Sequence, residues 1–289
     1  MTKKVKVAVI GGSGLYNMKG LQRTTEFNPD TPFGKPSAPI TIGSFRDRDL
    51  AFLARHGVGH HLSPSEVPYR ANIFALKLLG VERIVSISAC GSLREELAPG
   101  HIVIPDQLYD NTRNRPRTFF SEGLVAHVGV ADPFCEDLSR QLAAAVSTTG
   151  AIVHAGGSLI TIEGPRFSTK AESSVYRSWN MSLVGMTACP EAFLAREAEI
   201  CYAAMAHVTD YDVWHVSEAP VSVGMVIETL NKNTETAQEA LVWLFDNLDP
   251  VRRCNCGTAL ASAVITQPER IPRIVRDKLS PLVGKYIGT

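Results

Sequence analysis

Residues 4–10, "KVKVAVI", alternate apolar and polar and then run into "GGSG". That pattern predicts a strand feeding a tight glycine loop. "PITIGSF" and "LAFLARHG" read as two further strands joined by the polar hairpin "RDRD". "PSEVPYRANIFALKLLG" places its apolar residues at helical spacing and stops at Gly80, a glycine suited to a helix C-terminus. "ERIVSISACGS", "HIVIPDQLYD", "HAGGSLITIEG", "SLVGMT" and "ICYAAMAHVT" read as strands, rich in β-branched and apolar residues. "PFCEDLSRQLAAAVSTTG", "KAESSVYRSW" and "PEAFLAREAE" read as helices, the last with Pro190 in its first turn. Residues 222–248 form a long amphipathic helix, and a final helix is expected near residues 258–267. Strands alternate with helices throughout, which predicts one α/β domain over residues 1–289. Its sheet should be central and parallel or mixed, surrounded by helices. No linker, repeat or low-complexity stretch divides the chain, and residues 250–289 form a less regular C-terminal extension.

Composition narrows the function. The chain has 289 residues, 45% of them hydrophobic, with a formal net charge of zero. That is ample for a packed core. The absence of a basic block argues against a nucleic-acid partner. No apolar run is long enough to span a membrane, and the N-terminus lacks the features of a signal peptide, so the expected location is the cytoplasm. The six cysteines are scattered except for "CNC" at 254–256. A zinc site usually takes ligands from two spaced pairs. With no second pair along the chain, no metal is expected, and the cysteines are expected reduced and buried.

Ligands in open α/β sheets sit beyond the carboxyl ends of the strands. Here those ends read "GGSG", "ARHG", "SACGS", "TIEGPRF", "MT" and "TDYD". The amides of "GGSG" and the Ser13 hydroxyl could cradle a phosphate, or simply make a turn. The segment is no dinucleotide fingerprint, since Asn17 stands where a third glycine belongs, and no Lys-Ser or Lys-Thr follows as in a P-loop. Arg55 and His56 offer a guanidinium fork and an imidazole, or a surface loop. Gly57 and Gly59 argue against a helical His56/His60 metal pair. Ser88 offers a hydroxyl, while Cys90 in apolar surroundings is expected to be inert. Glu163, Arg166 and Phe167 fall together, and an aromatic there could stack on a flat ring or belong to the core. Asp210 and Asp212 lie one residue apart after an apolar strand. If the backbone stays extended they project to one side. Two such acids either face solvent in a turn or repel each other until a ligand or proton intervenes.

The ordered set "IGGSGL", "TPFGKPS", "ARHG", "ACGSLREELAPG", "IEGPRFSTKAES", "MTACPEAFLAREAEICYA" and "TDYDVW" closely resembles the 5′-methylthioadenosine phosphorylases of the trimeric purine nucleoside phosphorylase class. The resemblance covers roughly residues 5 to 245. It implies a purine nucleoside phosphorylase-like fold and phosphorolysis of methylthioadenosine to adenine and 5-methylthioribose 1-phosphate. Inorganic phosphate would be a co-substrate, with no cofactor or metal. It implies a phosphate site of Ser13, Arg55, His56, Ser88, Ala89 and Thr187, where serine at the first and fourth hydroxyl positions replaces the family's frequent threonine. Ala89 and the Met186 backbone would lie along the ribose, Phe167 would pack on the purine with Ser168 beside it, and Asp210 and Asp212 would read the base. His127 would reach the 5′ group bound by a neighbouring subunit of a homotrimer. Val223, Val226 and Ile227, at i, i+3, i+4 spacing, form one helix face. The resemblance makes it a methylthio pocket, whereas spacing alone equally suits core packing. "CNC" is similar to a Cys-x-Cys feature of some family members; a bond across so short a spacing would be strained and readily reduced.

Two other readings of function compete. A phosphorylase of 6-oxopurine nucleosides or methylthioinosine would be expected to carry asparagine at one base-reading acid, which this sequence lacks. A non-catalytic nucleoside-binding module would be expected to lack a phosphate-site residue, and none is missing.

Overall fold

The computed structural model describes residues 5–12, 21–46, 48–215 and 223–288; of residues 23, 24, 223 and 225–232 it describes the backbone without the side chains. Eleven strands form one mixed sheet. They are β1 (Val7–Gly11), β2 (Gln22–Phe27), β3 (Ile40–Phe45), β4 (Arg48–Ala54), β5 (Arg83–Ser92), β6 (Ile102–Ile104), β7 (Gln107–Asn111), β8 (Val153–Ala155), β9 (Ser158–Ile162), β10 (Leu183–Gly185) and β11 (Cys201–Asp210). The helices are α1 (Tyr69–Leu79), α2 (Glu136–Ser147), α3 (Lys170–Ser178), α4 (Ala188–Glu197), α5 (Val223–Asn247) and α6 (Arg273–Ile287).

The interior of the sheet is parallel. β4, β1, β5 and β11 lie side by side in that order with the same direction. Such strands are covered on both faces and should be apolar without a break, and every residue of β1 and β11 is buried. Their side chains alternate between two cores. Ala8, Ile10, Ile84, Tyr202 and Ala204 pack with α1, α4 and α6. Val7, Val9, Val85, Ile87, Ala203 and Met205 pack with α2 and α5. β5 branches the sheet: its first part pairs with β1 and β11, and its last two residues pair antiparallel with β10. The ends of β4, β5 and β11 therefore meet the turn after β10 at one place.

Several elements differ from the sequence expectation. "HIVIPDQLYD" is two strands, β6 and β7, because Pro105 has no N–H for the ladder and the chain changes neighbours there. "HAGGSLITIEG" likewise divides into β8 and β9 at Gly156 and Gly157, both with positive φ. β2 was not anticipated. The last helix is not near 258–267, where Val264 instead bridges Ala126; it is α6, which sinks Val275, Leu279, Leu282 and Val283 into the core beside α1. Among the described residues no helix is long and apolar enough to cross a membrane.

Candidate functional site

The acids Asp210 and Asp212 are both 6% exposed at the end of β11. The chain does not stay extended between them, contrary to the expectation: Asp212 has φ 52°, a left-handed conformation. The turn is closed locally, with the Asp212 N–H donating to Asp210 Oδ1 at 2.8 Å. Thr209 Oγ1 donates to Asp210 Oδ2 at 2.7 Å. The two acids nevertheless converge on Gly91 of β5. A Cβ there would stand 3.0 Å from Asp210 Oδ1 and 3.3 Å from Asp212 Cβ, so the absent side chain is what lets them approach. Burial raises both carboxyls above the ordinary aspartate range. For Asp212 the charge of Asp210 adds to this, and the hydroxyls of Ser173 and Ser168 oppose it. Asp212 Oδ2 and the Ser168 and Ser173 Oγ atoms are buried without a close hydrogen-bond partner among the described residues. The two hydroxyls still face Asp212 closely enough to act on its carboxyl, so the three atoms satisfy one another weakly and keep capacity for a polar ligand.

Across the sheet, Arg55 follows β4 and is 2% exposed. Its Nε donates to Glu191 Oε2 and its Nη2 to Glu191 Oε1, both at 2.8 Å. Nη2 also donates to Ser86 Oγ at 2.6 Å and Nη1 to the Ile87 carbonyl at 3.1 Å. Four of the five guanidinium N–H groups are thus engaged, and one on Nη1 has no partner among the described residues. Burial works against the charge, but Glu191 outweighs it and holds the guanidinium above its ordinary pKa. Tyr202 Oη on β11 donates to the same Glu191 Oε1 at 2.8 Å. His56 faces a backbone carbonyl, Leu62 O, through Nδ1 at 2.9 Å, and stacks on His60. A carbonyl can only accept, so Nδ1 carries the proton. Burial, then the Arg55 charge, lowers the His56 pKa to about 4. The imidazole is neutral near pH 7 and Nε2 is a bare acceptor.

β5 is buried over its first residues and opens at Ser88, Ala89 and Gly91. Cys90 between them is buried, its thiol pushed up to about 12, in line with an inert side chain. Thr187 precedes α4 and its side chain makes no capping bond to that helix, whose first turn is interrupted at Cys189 by a non-helical φ of −102° and ψ of 134°.

The turns after β9 and β10 are locked together by Arg115. Its Nη1 donates to the Met186 and Cys189 carbonyls, both at 2.7 Å, and its Nη2 to the Glu163 carbonyl at 2.6 Å. Nε pairs with Glu163 Oε1 at 3.2 Å. Gly164 has φ 64°, and a Cβ there would lie 2.7 Å from Met186 Sδ. Half-buried Phe167 and buried Ser168 follow this turn. Arg166 pairs with Glu172 at 2.6 Å at the start of α3, within a Thr169/Glu172 capping box.

The structure thus brings Arg55, His56, Ser88, Ala89, Phe167, Ser168, Met186, Thr187, Asp210 and Asp212 to the ends of neighbouring strands. Ser13 lies outside the described residues. Val223, Val226 and Ile227 fall at the start of α5, with side chains outside the description. His127 is exposed and away from the strand ends, its N–H donating to Ala263 O at 2.8 Å. Glu191 and Arg115, which fix the site's two charged turns, were not singled out from the sequence. Glu191 sits in the apolar first part of α4, residues 188–195, a buried-acid signal that called for a cationic partner. The cysteines, scattered along the chain, are not scattered in space: Cys135, Cys201, Cys254 and Cys256 meet, with all four Sγ atoms within 4.8 Å of one another.

The profile of the Phosphorylase superfamily matches residues 6–245, the span that holds this sheet, the acid pair and the buried arginine. An S-methyl-5′-thioadenosine phosphorylase of Koribacter versatilis is 48% identical over 285 residues, covering 99% of this chain and 98% of its own. One from Chloroflexus aurantiacus is 51% identical over 281 residues, 97% of this chain and 98% of its own. Among solved structures, a methylthioadenosine phosphorylase from an antarctic soil metagenomic library superposes with a TM-score of 0.92 at 45% identity, covering 96% of this chain and 99% of that one. Methylthioadenosine phosphorylase from Schistosoma mansoni in complex with adenine gives 0.85 at 36% identity, covering 90% and 99%. The chain belongs to the Phosphorylase superfamily and, within it, to the S-methyl-5′-thioadenosine phosphorylases.

Proposed function

We propose that the chain catalyses phosphorolysis of S-methyl-5′-thioadenosine, giving adenine and 5-methylthioribose 1-phosphate. The observation that carries this reading is the buried acid pair at Gly91, with the Ser168 and Ser173 hydroxyls beside it, set at the same strand ends as Arg55 and His56. Cleavage of the glycosidic bond places positive charge on the sugar and negative charge on the departing purine. Inorganic phosphate stabilises the first and attacks C1′. Arg55 gives it the remaining Nη1 N–H, Ser13, Ser88 and Thr187 give hydroxyls, and the Ala89 amide completes the cradle. Neutral His56 accepts, through Nε2, the hydrogen of a protonated phosphate oxygen. Asp210, carrying a proton, donates it to purine N7 as the leaving group departs. Asp212, ionised, accepts from the 6-amino group with Ser168 beside it. Phe167 packs on the base and Met186 lies along the ribose. Val223, Val226 and Ile227 line the place of the methylthio group, where a 5′-hydroxyl would lack partners. No cofactor or metal takes part in these steps.

The working unit in this reading is a homotrimer in the cytoplasm, with His127 completing a neighbour's site. Its support is local: His127 sits on a short ladder between residues 124–128 and the C-terminal extension, and Val125, Val130 and Ile265 on that side are exposed. The decisive assay is adenine release from methylthioadenosine with and without phosphate, beside adenosine and inosine. Release that needs no phosphate, or a preference for inosine, overturns the proposal.

A further inference from the structure

The cysteine cluster lies far from the acid pair, at the other end of β11. Cys201 is the first residue of that strand and Cys135 immediately precedes α2. Cys254 and Cys256 lie at the 3-10 turn Asn255–Thr258 in the C-terminal extension. Three of the four are buried, and Cys254 is partly exposed, giving a route of entry. All four are free thiols. Their Sγ atoms lie within 4.8 Å of one another, and Cys201 and Cys254 are 3.3 Å apart. Four thiolates arranged tetrahedrally around one zinc ion at about 2.3 Å stand about 3.8 Å apart, within the span seen here after small side-chain adjustments. An iron–sulfur cluster spreads its thiolates over several iron atoms and would need them further apart.

A charged neighbour fits the same reading. The Arg196 guanidinium, at the end of α4, donates from Nη1 to Cys256 Sγ at 3.4 Å, and its Nε is held by Gly129 O at 3.3 Å. A thiol needs no such cation, whereas a four-thiolate zinc centre carries two net negative charges and is supported by outer donors. The N-terminus of α2 adds a favourable field at Cys135.

We infer that Cys135, Cys201, Cys254 and Cys256 form a structural zinc site that pins the C-terminal extension to β11 and α2. Binding releases protons: four thiols and one Zn²⁺ give a tetrathiolate zinc centre and four protons, with no change of oxidation state. With four protein ligands the ion has no open position, so its contribution is to folding.

The test uses the full untagged chain, purified under reducing conditions without chelator. Metal analysis should find about one zinc per chain, and thiol titration with a mercurial should release it as four thiols react. Cys254→Ser/Cys256→Ser should lower the zinc content at least tenfold. If that variant does not fold, cobalt added to chelator-stripped wild type should give the visible and sulfur-to-metal charge-transfer absorption of a tetrahedral thiolate site. Zinc-free protein with four reactive thiols that takes up no cobalt overturns the inference. So does a mass two hydrogens lighter per cysteine pair, which would make the cluster disulfides.

Discussion

Changing Glu191 to Gln keeps the shape of the side chain and removes the negative charge that balances Arg55. The pair is out of water, with Glu191 0% and Arg55 2% exposed. Its carboxylate oxygens take two bonds from Arg55, one from Ser86 and one from Tyr202. An amide keeps one acceptor and turns an N–H toward these donors. Breaking a buried pair by removing one partner costs about 3–5 kcal/mol. Because the amide retains part of the bonding, about 3 kcal/mol is expected. For a chain of this size that is a drop in Tm of about 5 °C, read by thermal melting at fixed protein concentration. A second variant separates stability from function. Arg55→Met/Glu191→Leu removes both charges, and apolar replacement of buried pairs is often neutral. It should recover much of the lost Tm while its kcat/KM for phosphate stays reduced at least tenfold, because the Nη1 donor is gone. A Glu191→Gln melt within 1 °C of wild type would refute the buried-pair argument. A double variant with unchanged phosphate kinetics would refute Arg55 as a phosphate ligand.

Asp210→Asn keeps the turn's acceptor but cannot protonate N7; it should lose at least a hundredfold in kcat/KM on methylthioadenosine and gain relatively on methylthioinosine, read as the ratio of the two. Glu197, held by the Phe119 N–H at 2.8 Å, is raised by burial to about 7. Between its unfolded value near 4.5 and 7 the folded state holds the extra proton, so stability falls as pH rises, by about 3 kcal/mol from pH 5 to 8; Glu197→Gln should flatten that part of the Tm–pH curve. Mixing inactive His127→Ala and Asp210→Ala proteins should regenerate activity on subunit exchange if His127 serves a neighbour's site, and an active monomer in solution would exclude it.

The parallel strands were legible because burial on both faces writes them as unbroken apolar runs, as in β1 and β11. Helix α1 was legible from its period and from Gly80, which does take φ 91°. β2, "QRTTEF", left no such trace because an edge strand pairs on one side only and stays largely polar. The C-terminal helix was expected near 258–267, where the chain forms turns and a bridge instead. The better signal was the spacing of Val275, Leu279, Leu282 and Val283 after Pro272, a pattern of period near four. In the site, the strand-end motifs named residues that the fold brings to neighbouring strand ends. The residues that hold them, Glu191 and Arg115, act across the fold through partners that no local pattern names. The cysteine cluster escaped for the same reason: ligand spacing along the chain detects only sites built from local pairs.

The two charged systems at the strand ends differ in how their charge is balanced, and that difference fits the chemistry proposed for them. Arg55 is already neutralised by Glu191, so the proposed phosphate cradle would rely mainly on the dipoles of hydroxyls and backbone amides. Such a cradle holds phosphate without burying a full unpaired cation when the site is empty, and it leaves the nucleophile's charge available to the developing positive sugar. Among the described residues no cation pairs with the acid pair; burial raises both carboxyls, and at Asp212 the charge of Asp210 adds to it. A countercharge there would lower their pKa and remove the proton that the leaving purine needs. The bent turn at Asp212 follows from the same requirement. An extended strand would hold the acids as equals on one face. The turn instead spends the Asp212 N–H on Asp210 Oδ1 and turns Asp212 toward Ser168 and Ser173. The carboxyls thereby acquire different surroundings, with the Thr209 hydroxyl and the Asp212 N–H opposing at Asp210 the rise that burial causes.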